Sequence, residues 1–165
     1  MNRNQRYPNF TGLVGKRPQA WATVRGSSAY PDILGTVRFY QTPYGVLVVS
    51  EIQGLPMRAG ECGESIFGFH IHEGNSCSGN AEDPFANAGM HWNPYGCPHP
   101  EHAGDLPPLF GAGGVAFSAV LINRFTVEEI IGRTVIVHSQ ADDFTTQPSG
   151  NSGSKMACGE IIAYR

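Results

Sequence analysis

Charge is what this sequence of 165 residues has least of: Asp, Glu, Lys and Arg together make up 15% of it. The net charge of −3 leaves no basic surface of the kind nucleic acid demands, so nucleic acid is excluded as a partner. Long apolar runs are missing as well. No stretch approaches the roughly 20 apolar residues that span a bilayer as a helix, and no membrane partner is expected. Runs of helix formers are few, while 21 Gly and 12 Pro punctuate the chain; that combination points to short strands joined by loops. Met1 to about Gln19 is polar, carries four basic residues and lacks the apolar segment of a secretory signal. It reads as an ordered or loosely draped N-terminal extension, residues 1–19, ahead of one domain over residues 20–165. The length suits a single domain with a sizeable core. With no signal, the compartment is cytoplasmic by default.

Strand-like runs follow at short spacing: Ala20–Arg25, Ile33–Tyr40, Val46–Ile52 and Phe67–Glu73, then Gly114–Leu121, Thr134–His138 and Gly159–Tyr164. Turn-formers separate them, among them Gly26-Ser27-Ser28, Thr42-Pro43-Tyr44-Gly45 and Gly54-Leu55-Pro56. Phe125–Ile130 reads as a helical turn or a loop, because Glu128-Glu129 interrupt the alternation. About eight antiparallel strands are expected, enough for a two-sheet sandwich or a small barrel. Two long irregular stretches interrupt them, residues 74–112 and 139–155. The first keeps Phe85, Trp92, Tyr95 and Phe110, which argues against disorder. A loop that builds no core of its own can be ordered by metal ligation and a disulfide.

The run Phe67-Gly68-Phe69-His70-Ile71-His72-Glu73 organises the rest. Side chains alternate across a strand, so Phe67, Phe69 and Ile71 share the face to bury and His70 and His72 share the other. Two residues apart, the histidines lie about 7 Å from one another along the strand, within reach of one metal ion. Alone, such a pair is more often an ordinary polar face. The other histidines change that weighting: His91, His99 and His102 lie in the long loop with Asp105 just after, His138 ends a strand, and the first 69 residues contain none. Six imidazoles and a carboxylate exceed one tetrahedral zinc site. They suit two metals, or one metal with supporting residues around it.

Five motifs then occur in order: His70-Ile71-His72-Glu73; His91-Trp92-Asn93-Pro94; His99 with His102-Ala103-Gly104-Asp105; Val137-His138 with Ala141-Asp142-Asp143; and Gly150-Asn151-Ser152-Gly153-Ser154-Lys155-Met156-Ala157-Cys158-Gly159. Together they resemble copper–zinc superoxide dismutase over roughly residues 20–165. The resemblance implies an all-β, eight-stranded antiparallel Greek-key barrel or sandwich, immunoglobulin-like, with two long functional loops. It implies copper held by His70, His72, His91 and His138, and zinc by His91, His99, His102 and Asp105, so that His91 bridges both. Four nitrogens in a tetragonal array favour copper(II), and three imidazoles with a carboxylate suit zinc. Asp142 matches the carboxylate that links a ligand of each metal and fixes their tautomers. The implied activity is conversion of superoxide anion to oxygen and hydrogen peroxide by alternating one-electron transfer at copper. The catalytic residues would be His91, which takes up and returns a proton, and Lys155, which draws in the anion. A homodimer is left open.

Four cysteines allow three fully paired connectivities. The resemblance implies the Cys77–Cys158 disulfide, which would point to an oxidising compartment and so conflicts with the missing signal; the compartment stays open. Cys62 and Cys97 have no counterpart in the family pattern. A second bridge, buried thiols, or a thiolate ligand at Cys97 are the readings for them. Three departures stand out. His99 and His102 lie closer together than the family usually has them. Lys155 replaces an arginine, a mobile point charge in place of a planar fork of donors. The 139–155 loop carries only Asp142, Asp143 and Lys155 as charged residues, which weakens any guiding field. Three rival readings remain. A metal-dependent hydrolase on a large α/β barrel needs about 250 residues. A cupin would place its glutamate further on than Glu73. A dismutase-like domain that stores or delivers copper and zinc, with little or no dismutase activity, is the strongest of the three.

Overall fold

The computed structural model describes residues 9–57, 60 and 65–165. Short alternating segments form ten strands: β1 Ala20–Gly26, β2 Leu34–Thr42, β3 Gly45–Gln53, β4 Ile66–Phe67, β5 Phe69–His72, β6 Leu109–Ala112, β7 Val115–Ile122, β8 Thr134–His138, β9 Lys155–Glu160 and β10 Ile162–Ala163. Among the described residues, two single-turn α-helices, α1 Thr11–Val14 and α2 Val127–Ile130, and a 3-10 turn at Ala86–Ala88 complete the regular structure. Helix α2 is the helical turn anticipated near Glu128-Glu129. The Glu129 carboxylate accepts from the Thr126 N–H and hydroxyl, so these charges cap a helix instead of breaking a strand. Among the described residues no helix is long and apolar enough to cross a membrane.

Every pairing is antiparallel, in the order β4-β6-β7-β3-β2-β1-β9-β8-β5, with β10 beside β1. The two ends of that order, β4 and β5, are consecutive in the chain and meet at Gly68. One continuous stretch therefore belongs to both margins of the sheet and curls it into a nearly closed barrel. Gly68 makes the crossing by pairing elsewhere: its N–H donates to the Gln140 carbonyl at 2.7 Å and its carbonyl accepts from His138 at 2.8 Å. The exposed flank of β5 is covered by irregular chain. Ile71 N–H donates to Gly104, Trp92 N–H to Ile71, and Leu106 N–H to Phe69, at 2.8, 2.9 and 3.3 Å. Gly104 is needed there, since a Cβ on it would lie 2.2 Å from the Ile71 carbonyl oxygen.

The barrel interior is filled by the inward face of each strand, including Ala22, Val24, Val37, Phe39, Phe67, Phe69, Ile71, Val135 and Val137. The face assigned to Phe67, Phe69 and Ile71 is thus the core face. Two clusters lie outside the barrel. Tyr40, Leu47 and Val49 are covered by Phe10, Leu13 and Val14 of the α1 segment. Phe85, Ala88, Ile136 and Cys158 form the second, with Cys77 against them.

Four details differ from the strand reading. The Phe67–Glu73 run is broken at Gly68 because it serves two sheet margins. Strand β6 lies inside the segment read as irregular, hidden by the glycines around it and by the 67% exposed Phe110. The run read as a last strand from Gly159 divides between β9, which starts already at Lys155 because its pairing to β8 does not depend on apolar alternation, and β10. Short β4 and β10 bring the count among the described residues to ten where about eight were expected.

Candidate metal centre

Six histidines and Asp105 converge on the outer side of β5 and β8. His70 and His72 project from β5 on the face opposite the core, and β8 pairs antiparallel beside it. His138 ends β8 at a register irregularity against Lys155 of β9, so one bulge sets the positions of both side chains. The other imidazoles come from the long loop, where His91 forms an isolated bridge with His72 and Asp105 with His70. All six rings are buried, from 0% exposed at His70 to 5% at His91 and His102.

Two groups of potential ligand atoms result, each with its atoms within 4.8 Å of one another: His70, His72, His91 and His138, and His91, His99, His102 and Asp105. His91 belongs to both, with its ring centroid 3.8 Å from that of His70 and 5.8 Å from that of His102. The close spacing of His99 and His102 does not prevent the second group from assembling. Asp105 answers for the short turn, since its Oδ2 accepts from the His102 N–H at 3.1 Å while its Oδ1 lies 2.8 Å from His91 Nδ1.

Hydrogen bonds dictate which nitrogen of each ring faces inward. Asp142 is 5% exposed, and its Oδ2 lies 2.6 Å from His70 Nε2 and its Oδ1 2.8 Å from His99 Nε2. An ionised carboxylate only accepts, so both rings carry their proton on Nε2 and turn Nδ1 inward. His72 Nδ1 donates to the Gly89 carbonyl at 2.8 Å and His138 Nδ1 to the Gly153 carbonyl at 3.3 Å, turning Nε2 inward. Those two inward nitrogens face each other at 3.2 Å. Four buried ring atoms make no hydrogen bond of good geometry, His70 Nδ1, His91 Nε2, His99 Nδ1 and His102 Nδ1, and all belong to the two groups; His99 Nδ1 and His102 Nδ1 lie 3.0 and 3.2 Å from Asp105 Oδ2, their fellow member of the second group. Buried polar nitrogens are rarely left unpaired, and unpaired lone pairs converging this way fit metal cations well.

Protonation is suppressed at His70, His72, His102 and His138. Burial lowers His70 to about 4. Burial, with neighbouring imidazoles, pushes His72 and His138 well below the ordinary range, and burial lowers His102. Burial would raise Asp142 and Asp105, but hydrogen bonds from His70 and His91 respectively, with other donors, outweigh it and hold both carboxyls low. Neutral imidazoles beside ionised carboxylates are the protonation state in which metals bind.

Several supporting residues gave no sequence signal. Arg124 donates from one nitrogen to the carbonyls of Pro100, His102 and Asp105 at 2.9, 3.1 and 3.3 Å, fastening the short turn. Gln147 and His99 exchange two hydrogen bonds, at 2.9 Å and 2.6 Å, that dock one long loop on the other. The Cys77–Cys158 disulfide ties the loop to β9 with Cα atoms 5.6 Å apart. Cys97 carries a half-buried free thiol and belongs to neither ligand group. Cys62, its partner in the suggested second bridge, lies outside the described residues. Above His72, His91 and His138 opens a cavity of about 330 Å³, whose mouth carries Glu82, Asp83 and Lys155.

A family model described as copper/zinc superoxide dismutase matches residues 33–161. The chain belongs to the copper/zinc superoxide dismutase family. Curated relatives include the Cu-Zn superoxide dismutases of Photobacterium leiognathi, 33% identical over 142 residues covering 78% of each chain, and of Legionella pneumophila, 34% identical over 139 residues covering 79% of each. The Deinococcus radiodurans Cu-Zn superoxide dismutase is 32% identical over 149 residues, 79% of this chain and 78% of that one. Membership of this dismutase family agrees with two His/Asp groups, a nearly closed β-barrel and a loop-to-strand disulfide in one chain.

Proposed function

We propose that the protein dismutes superoxide at a histidine-bridged pair of metals, copper on His70, His72, His91 and His138 and zinc on His91, His99, His102 and Asp105. The carrying observation is that His91 is shared by both groups while His70 Nδ1 and His91 Nε2, both buried, converge there with no hydrogen-bond partner. When bound, copper supplies a one-electron couple that takes an electron from one superoxide and gives it to a second, with two protons, yielding oxygen and hydrogen peroxide. The protein's residues do the rest. Asp142 and the Gly89 and Gly153 carbonyls hold the rings as the tautomers that ligation needs. His91 is the proposed proton carrier: its Nε2, unpaired at the cavity, holds a proton between the two halves of the cycle while Asp105 steadies Nδ1. Lys155 receives the anion at the mouth. Burial leaves His72, His91 and His138 no more than 5% exposed beneath the cavity.

Residues 1–19 are proposed to extend a domain formed by residues 20–165. That the core cluster begins at Ala20 and the family match at residue 33 supports this division. A homodimer is proposed as the assembly. Phe110, Val115 and Phe117 share the outer face of β6 and β7 and are 67%, 51% and 61% exposed, an apolar patch that suits a partner. A monomer in sedimentation at micromolar concentration would refute it.

The test of the activity is reconstitution with copper and zinc, superoxide dismutation being compared with that of His138→Ala. A rate well above free copper that collapses in the variant is expected. A rate equal to free metal, or indifferent to the substitution, leaves a metal-binding domain without dismutase activity.

A further inference from the structure

Among the described residues, Lys155 is the only cation lining the cavity over the His72, His91 and His138 imidazoles, and it is already engaged. Its Nζ donates to Asp83 Oδ2 at 2.6 Å, with the lysine side chain 15% exposed and the aspartate 39%. Asp83 is not a loose surface group. Its Oδ1 accepts from the Phe85 N–H at 3.0 Å, its own N–H donates to Asn80 Oδ1 at 2.8 Å, and its carbonyl accepts from Asn80 and Ala86 at 3.0 and 3.1 Å. The turn is tight enough that a Cβ on Gly79 would lie 2.1 Å from the Asp83 carbonyl oxygen. The segment is anchored at Cys77 by the disulfide to β9, the strand that Lys155 opens. Both charges are therefore presented by fixed backbone, and their pairing belongs to the fold.

We infer that Asp83 determines how readily anions reach the copper cluster: its carboxylate occupies Lys155 and restrains anion entry. The inference rests on the proposed assignment of that cluster. A carboxylate in contact with an ammonium cancels most of its field a few ångströms away, and Glu82 adds a second negative charge. With one cation and two carboxylates at its mouth, the cavity carries a formal charge of −1 there. An ammonium has three donors and can hold Asp83 and an incoming anion together, but the anion then sits beside a like charge. At the distances and intermediate dielectric of such a mouth, the repulsion amounts to roughly three- to tenfold in affinity. The identity of residue 155 matters as well. A guanidinium would be gripped by the carboxylate through two parallel bonds, so Lys155→Arg gains little while Asp83 is present.

The experiment uses the full chain loaded with copper and zinc, titrated with azide and followed by copper(II) absorption. Asp83→Asn keeps the oxygen that serves Phe85 and removes the charge. It is expected to bind azide roughly three- to tenfold tighter than wild type and to show a higher kcat/KM, both differences shrinking as salt rises. Lys155→Arg is expected to tighten azide binding clearly in the Asp83→Asn background and little in the wild-type one. Asp83→Ser, whose hydroxyl still accepts from Phe85, repeats the test if the asparagine variant folds poorly. Azide affinity that is unchanged or weaker in the neutral variants overturns the inference. A wild-type protein that binds copper but does not dismute superoxide overturns the proposed function alone, because azide still reports on Asp83. Failure to bind copper overturns both.

Discussion

Replacing Asp142 by Asn should weaken copper binding more than zinc binding. The carboxylate accepts three hydrogen bonds, unevenly divided: Oδ1 serves His99 Nε2 and the Phe144 N–H at 2.8 and 2.7 Å, and Oδ2 serves only His70 Nε2 at 2.6 Å. An asparagine has one acceptor oxygen and places an NH₂ where the other stood. Keeping the oxygen on the Oδ1 side retains two bonds and sacrifices one, so the amide hydrogens end up facing His70. That ring then moves its proton to Nδ1 to accept from the amide, and Nδ1 is the atom it would offer to copper under the proposed assignment. A charge-assisted hydrogen bond contributes about 1.5–3 kcal/mol, which matches the 10- to 100-fold loss of metal affinity usual when a residue supporting a ligand is removed. Copper affinity should fall by about that factor, zinc affinity by no more than a few-fold, and Asp142→Ala should weaken both. Chelator competition, followed for each metal separately, measures it. Equal affinities in wild type and Asp142→Asn, or a zinc loss larger than the copper loss, would refute the tautomer argument. Gly150→Ala is an independent check: at a φ of +67°, its Cβ would come 2.0 Å from Asp142 Oδ1 and 2.6 Å from His99 Nε2.

Three further outcomes are expected. The metal-free protein should lose stability as pH falls from about 6.5 towards 4. Over that window the unfolded chain takes up protons on histidines that the fold keeps neutral. His70 alone, lowered from 6.5 to about 4, accounts for about 3 kcal/mol, and His72 and His138 add to it with the same sign; a urea midpoint unchanged between pH 7.5 and 5 would contradict this. Reducing the disulfide, which closes a separation of 81 residues, should cost about 4 kcal/mol on chain-entropy grounds, read as a fall in thermal midpoint on adding reductant. Deleting residues 1–16 should uncover Tyr40, Leu47 and Val49 and remove the Tyr40 hydroxyl bonds to the Val14 and Lys16 carbonyls. About 3 kcal/mol of stability should be lost with metal affinities unchanged; a loss of metal binding would show that this segment reaches the centre.

The sequence was most informative where chemistry and periodicity coincide. His70 and His72 alternate with Phe69 and Ile71, so one short run marked both the core face and the ligand face. The histidines of the long loop could be grouped by resemblance, and their convergence is a matter of geometry that the chain's topology supplies. What stayed hidden depends on partners far away in sequence. Strand β6 has the pattern LFGA, with an exposed phenylalanine and two small residues, and only its pairing with β4 and β7 makes it a strand. Arg124 reads as an ordinary surface cation until three loop carbonyls gather around it. Asp83 stands 72 residues from Lys155, and nothing local marks the two as partners. Residues 10–14 read as part of an N-terminal extension, and only the apolar outer face of Tyr40, Leu47 and Val49 shows where Phe10, Leu13 and Val14 pack.

The cover over β5 has a consequence for association. A strand whose outer hydrogen-bonding groups are unprotected is a template on which another chain can build. In this barrel that flank is closed not by a strand but by two segments of the long loop, 91–92 and 104–106, which take up the backbone groups of Phe69 and Ile71. The same ligands that would hold the metals also keep a sheet margin out of circulation. Loss of metal or of the disulfide would thus do more than silence a reaction: it would loosen the loop and leave the flank of β5 open to pairing between molecules.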